Sequence, residues 1–128
     1  MARSLDPPTI KFKRLHPDAR IPTRATEGAA CFDLYSRWST TLTATNTRAV
    51  VETGIALELP PGYVGLICSR SGLAANNGVF VVNAPGVIDE DYRGELKIIL
   101  GYLPQDLNWP SIHPRHFEAG SRLAQLTV

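Results

Sequence analysis

The chain has little cysteine. Among its 128 residues only Cys31 and Cys68 carry thiols, too few for a disulfide framework and too isolated for a zinc site. Buried free thiols are the expectation for both. An excess of one charge sign is also lacking: a formal net charge of +1 with 20% charged residues gives no overall basic field. Neither a nucleic-acid polymer nor an anionic membrane is therefore an expected partner. Long apolar runs are missing too. No stretch approaches bilayer-spanning length, and the opening M-A-R-S-L-D-P-P has no apolar centre of the kind a signal peptide needs, so a soluble, intracellular protein is expected. Helical periodicity is nearly absent, as are repeats, linkers and low-complexity tracts. His16, His113 and His116 are the only imidazoles. The last two lack a third acidic or thiol partner for a metal and read as surface residues.

What the chain does have is punctuation. Ten Pro and ten Gly fall among short β-rich runs, the pattern of an all-β sandwich or barrel. The length suits one domain over residues 1–128, with one core. Residues 9–15 (T-I-K-F-K-R-L) alternate apolar and polar and predict a half-buried strand. Further strands are predicted over 32–35, 47–51, 54–59, 63–69, 79–82, 96–102 and 122–128, with Pro60-Pro61-Gly62 as a turn. Residues 73–77 (L-A-A-N-N) are the one expected helical turn, ending at Gly78 in a left-handed cap. Residues 103–114 read as a loop in which Trp109 packs or meets a partner.

Polar chemistry is concentrated in four clusters: G-A-A-C-F-D-L-Y-S (28–36), S-R-S-G-L-A (69–74), N-A-P-G-V-I-D-E-D-Y-R-G-E (83–95) and G-S-R-L-A-Q-L (120–126). The third lies between apolar runs and reads as a β-hairpin tip loaded with an amide, carboxylates, a phenol and a guanidinium, hence as a binding site. Its Asp89 and Asp91 would share a face of an extended strand, with Glu90 opposite. One carboxylate can polarise a water and two can touch a divalent cation, while turn capping is the plainer role. Tyr92 reads as a core aromatic or as a platform for a sugar or base. In the second cluster Arg70, Ser71 and Gly72 offer a guanidinium, a hydroxyl and backbone N–H groups to a phosphate, or else form an ordinary strand end with a salt bridge.

In this order and spacing the clusters resemble the trimeric dUTP pyrophosphatases (dUTPases). G-A-A-C-F-D-L-Y-S, then R-S-G-L-A, then G-V-I-D-E-D-Y-R-G-E, then R-L-A-Q-L, match four of that family's five motifs across nearly the whole chain. The resemblance implies an all-β, distorted jelly-roll fold assembling as a homotrimer, with active sites between subunits. It implies Mg²⁺-dependent hydrolysis of dUTP to dUMP and pyrophosphate, with the metal carried chiefly by phosphates and waters. Asp89 matches the carboxylate that activates the attacking water, and Tyr92 the ring against the deoxyribose. Asn83 matches the amide that reads uracil, completed by backbone around Gly86 and Val87. Arg70, Ser71, Gly72 and Gln125 match phosphate-chain ligands, and Asp33 a carboxylate near the metal region that acts through water or holds the site together. The family's fifth motif, a Gly/Ser-rich arm, has no counterpart before Val128. An alternative is therefore a non-catalytic module of the same fold that senses nucleotides or binds proteins. A related deoxynucleotide deaminase would need a catalytic Glu and a different residue set beside Arg70. Cys31 stands where the first motif usually has Gly, and Cys68-Ser69 replaces a commoner pair before Arg70.

Overall fold

The computed structural model describes residues 7–104 and 113–128. Trp109 and most of the 103–114 loop lie outside the described residues. Short β-rich runs cut by Gly and Pro form ten strands among the described residues: β1 (Lys11–Arg14), β2 (Phe32–Tyr35), β3 (Thr40–Leu42), β4 (Arg48–Glu58), β5 (Gly65–Cys68), β6 (Val79–Val81), β7 (Gly86–Ile88), β8 (Glu95–Tyr102), β9 (Arg115–Phe117) and β10 (Arg122–Thr127). One helix, α1 (Ser71–Asn77), follows β5. The strands make antiparallel sheets in the orders β1-β4-β8-β6 and β2-β10-β5-β7, with β3-β9 as a separate pair. This is the expected all-β jelly roll.

Alternation decides which side of each strand is covered. In β8 Leu96, Ile98 and Leu100 are fully buried while Lys97 between them is exposed. From the second sheet Leu34, Leu123, Ala124 and Leu126 meet them. Each large side chain so buried contributes about 1.5–3 kcal/mol. No helix among the described residues is long and apolar enough to cross a membrane.

Several expectations need correction. The predicted strands 47–51 and 54–59 are one strand, β4, because Gly54 bulges it instead of breaking it. Gly54 takes φ +70°, and the β4–β8 register shifts between Glu52 and Ala56. The polar groups freed there are satisfied locally: Gly54 N–H donates to Glu95 Oε2 (3.0 Å) and Thr53 Oγ1 donates to Leu96 O (2.6 Å). The hairpin is also more than a turn. β6 and β8 do pair, but β7 leaves them to pair with β5 of the other sheet. Three residues are too few to show a period, so β7, like β3 and β9, leaves no alternation to read. Asp89 and Asp91 accordingly do not share a strand face. Asp89 opens a turn closed by Tyr92 N–H donating to Asp89 O (3.1 Å). The helix starts two residues before the expected turn, at Ser71, and ends as expected at Gly78 with φ +66°. Both cysteines are free and half-buried rather than buried.

Candidate functional site

The first half of the site is built by register. Gln125 of β10 pairs with Asp33 on β2 and with Cys68 on β5, so Asp33 and Gln125 stand as neighbours on one face. One residue past Cys68 the chain leaves the sheet, and Arg70 becomes the N-cap of α1 with no side-chain cap. The early N–H groups of α1 are then without side-chain partners. Asp33, Arg70, Ser71, Gly72 and Gln125 thus line one cavity of about 340 Å³, joined by Cys31 and Arg122.

Electrostatics organises that cavity. Asp33 is only 8% exposed, and two guanidiniums oppose it: Arg70 Nε lies 3.8 Å from Oδ1 and Arg122 Nη1 3.7 Å from Oδ2. A buried carboxylate is stable only with such partners. Both separations are too long for direct hydrogen bonds, so each guanidinium keeps donors for another anion. Two cations against one anion leave a positive excess. Arg70 also donates to Arg122 O (3.1 Å), and Gln125 Nε2 donates to Ser69 O (2.9 Å), tying the strand ends together. Burial, then the neighbouring Cys68, pushes the Cys31 thiol above its ordinary value, while the Thr127 hydrogen bond lowers it in part. Cys31 is therefore a neutral wall of the cavity near pH 7.

The second half is built by local turns. Asn83 leaves β6, and Gly86 opens β7 where a side chain would press on the amide: an added Cβ would sit 3.2 Å from Asn83 Nδ2. The loop that follows is pinned at its backbone and by its acids. Glu90 Oε2 accepts Gly62 N–H (3.0 Å), Arg93 Nη1 donates to Glu90 O (2.7 Å), and Tyr92 Oη donates to Glu95 O (2.7 Å). Asp89 is exposed, and among the described residues no hydrogen bond or ion pair engages its carboxylate. It is thus an exposed carboxylate on a fixed turn. Tyr92 is 40% exposed, which fits a platform better than a core aromatic.

The structure does not bring these halves together in one chain. None of Asn83, Gly86, Val87, Asp89 and Tyr92 lines the cavity. Gly65 pairs with Ile88 and Ile67 with Gly86, so β5 carries the Asp89 turn beyond one end and Arg70 beyond the other. Along the strand that is a separation of about 20 Å. Sequence reasoning did not single out Arg122. It stands at the head of β10, paired with Tyr35 of β2, two residues from Asp33 on the same strand, and from there its guanidinium reaches Asp33.

A metal would find few direct ligands here. Among the described residues no group of three His, Cys, Asp or Glu could hold one. Among the described residues Asp33 is the only carboxylate lining the cavity. The donor set suits an ion that brings most of its own ligands, as Mg²⁺ does with phosphates and waters.

Comparison with known proteins places the chain beside one family. A family model described as dUTPase matches residues 17–128. The chain is similar to the deoxyuridine 5'-triphosphate nucleotidohydrolase of Mycolicibacterium vanbaalenii, 45% identical over 122 residues, covering 95% of this chain and 75% of that one. Among solved structures it is similar to the Staphylococcus bacteriophage 80alpha dUTPase with dUPNHPP (TM-score 0.78, 28% identity, 93% of this chain and 80% of that one). It is also similar to a mutant dUTPase from phage phi11 of S. aureus, whose structure reveals the coordination of a structural Mg(II) ion (TM-score 0.76, 29% identity, 93% and 88%).

Proposed function

The chain belongs to the dUTPase family, and from that premise we propose that it hydrolyses dUTP to dUMP and pyrophosphate, with Asp89 as the general base. The observation that carries this reading is the state of Asp89: a carboxylate without a partner among the described residues, on a turn pinned by Tyr92 N–H and flanked by the tethered Glu90. Such a group accepts a proton from a water held against it. That water adds to the α-phosphorus in line, the bond from the α-phosphorus to the bridging oxygen breaks, and pyrophosphate leaves with the electron pair. Arg70, Ser71, Gly72 and Gln125 hold the phosphate chain and meet the charge that grows on the leaving oxygen. Arg122 adds a second guanidinium beside Arg70.

The other half selects the nucleotide. The Asn83 amide and the backbone at Gly86 and Val87 read uracil, and the Tyr92 ring lies where a 2′-hydroxyl would collide and lose its solvation. Because Asp89 and Arg70 stand about 20 Å apart along β5, one nucleotide meets both only if two copies contribute. A homotrimer with intersubunit sites satisfies that need. Mg²⁺, chelated by the phosphates and waters with Asp33 reaching it through water, would neutralise phosphate charge. The reaction would keep uracil out of DNA and supply dUMP wherever the cell's dUTP pool lies.

Pyrophosphate release is the test. With Mg²⁺ and dUTP the chain should release it, with dTTP, dCTP and UTP serving as controls, and Asp89→Asn should abolish release. Tight dUTP binding without turnover in the unsubstituted chain would contradict the proposal and favour a binding module.

A further inference from the structure

Gly94 has a role that neither motif chemistry nor backbone strain explains. The glycines with left-handed φ among the described residues are Gly54, Gly62, Gly78 and Gly120, so Gly94 has a backbone that any residue can adopt. What it lacks is room. A Cβ there would lie 2.7 Å from Tyr92 Oη, 2.8 Å from Cζ and 3.0 Å from Cε1. The obstructing atoms all belong to the far end of one side chain, itself 40% exposed. A side chain at position 94 would therefore displace the ring rather than the sheet, by several tenths of an ångström before ordinary contact is restored.

We infer that Gly94 is a positioning residue for sugar specificity: its missing side chain lets the Tyr92 ring lie flat on the chain, where it excludes a ribose 2′-hydroxyl. The ring is fixed from two directions. Tyr92 Oη donates to Glu95 O at 2.7 Å, and Glu95 is itself anchored, pairing with Ala56 and accepting Gly54 N–H at its side chain (3.0 Å). Gly94 lies against the ring, and Tyr92 as a whole is 40% exposed. An exclusion contact of this kind is sensitive to small displacements, because a hydroxyl needs little extra space to be admitted. The inference rests on the reading of Tyr92 as the deoxyribose platform and adds a residue that never touches the nucleotide.

The test is a double-mutant cycle read out as the ratio of kcat/KM for dUTP to that for UTP, together with thermal unfolding. Gly94→Ala should lower the ratio by about tenfold, approaching the value for Tyr92→Ala. In the Tyr92→Ala background Gly94→Ala should change neither the ratio nor the unfolding temperature, because the ring it strikes is gone. If Tyr92→Ala relaxes discrimination while Gly94→Ala leaves it intact, the Tyr92 reading stands and this inference falls. If Tyr92→Ala itself leaves discrimination intact, the platform reading fails and takes the inference with it. Should Gly94→Ala unfold the chain, Tyr92→Ala should rescue it; failure to rescue would show that the clash lies elsewhere and overturn the inference.

Discussion

The cavity around Asp33 and Arg70 and the 83–95 loop hold polar groups in place by opposite means. In the cavity the side chains restrain one another: Asp33 faces Arg70 and Arg122, and Gln125 is tied to Ser69. In the loop the backbone is restrained and the working side chain is left alone: Tyr92 N–H and the Gly62–Glu90 bond fix the turn, while Asp89 faces solvent. The difference fits the chemistry proposed for each. A cation can share a counter-ion and still receive a phosphate, whereas a base that is already paired has lost its proton affinity. A site assembled from both gains by keeping them on separate supports, so that neither neutralises the other.

Substitutions can break this contrast on one side at a time. The largest effect is expected from Asp89→Asn, which should lower kcat by about 10²–10⁴-fold while dUTP affinity changes little; steady-state pyrophosphate release beside calorimetric binding reads both. Arg70→Ala should do the reverse. Losing one charged donor set should weaken dUTP binding by about 1.5–3 kcal/mol, roughly ten- to a hundredfold in Kd by titration, with a smaller fall in kcat. Glu90→Ala sharpens the contrast by loosening the turn without touching the cavity. It should cost about 1 kcal/mol in denaturant unfolding and lower kcat several-fold, with pyrophosphate affinity unmoved.

The smallest effect concerns the cavity wall. Burial and Cys68 raise the Cys31 thiol above its ordinary 9.0, so the folded chain holds that proton more tightly than the unfolded one. The resulting stability is fully present below pH 9.0 and is lost as pH rises from there through the raised folded value. Cys31→Ala should flatten that slope, seen by comparing unfolding midpoints at pH 8 and pH 10.

The two regions also differ in how legible they were. Asn83, Asp89 and Tyr92 are close in sequence, so the loop could be read as one polar unit, and Gly78 marked the end of α1 through its need for a left-handed φ. The cavity was named residue by residue through the family resemblance, but its assembly was hidden. That Gln125 stands between Asp33 and Cys68 depends on the β2-β10-β5 register, which is set by long-range packing. Arg122 was missed for that reason, although its strand was expected. Gly54 misled because a glycine within an apolar run signals a break and a bulge alike, and only the neighbouring acceptor on Glu95 decides between them. Gly94 gave no signal because its constraint is the proximity of Tyr92.

The central claim is that a nucleotide lies between the loop of one copy and the cavity of another, and subunit mixing tests it most directly. Asp89→Asn chains retain a whole cavity and Arg70→Ala chains a whole loop. Co-refolded in equal amounts and assayed at dUTP well below the Kd of Arg70→Ala, where each variant alone is nearly inactive, the two proteins should regain about a quarter of wild-type activity, since random assembly pairs an intact loop with an intact cavity at that frequency. Activity that stays at the level of the separate variants, in assemblies shown to contain both, would place the whole site within one chain and contradict the account.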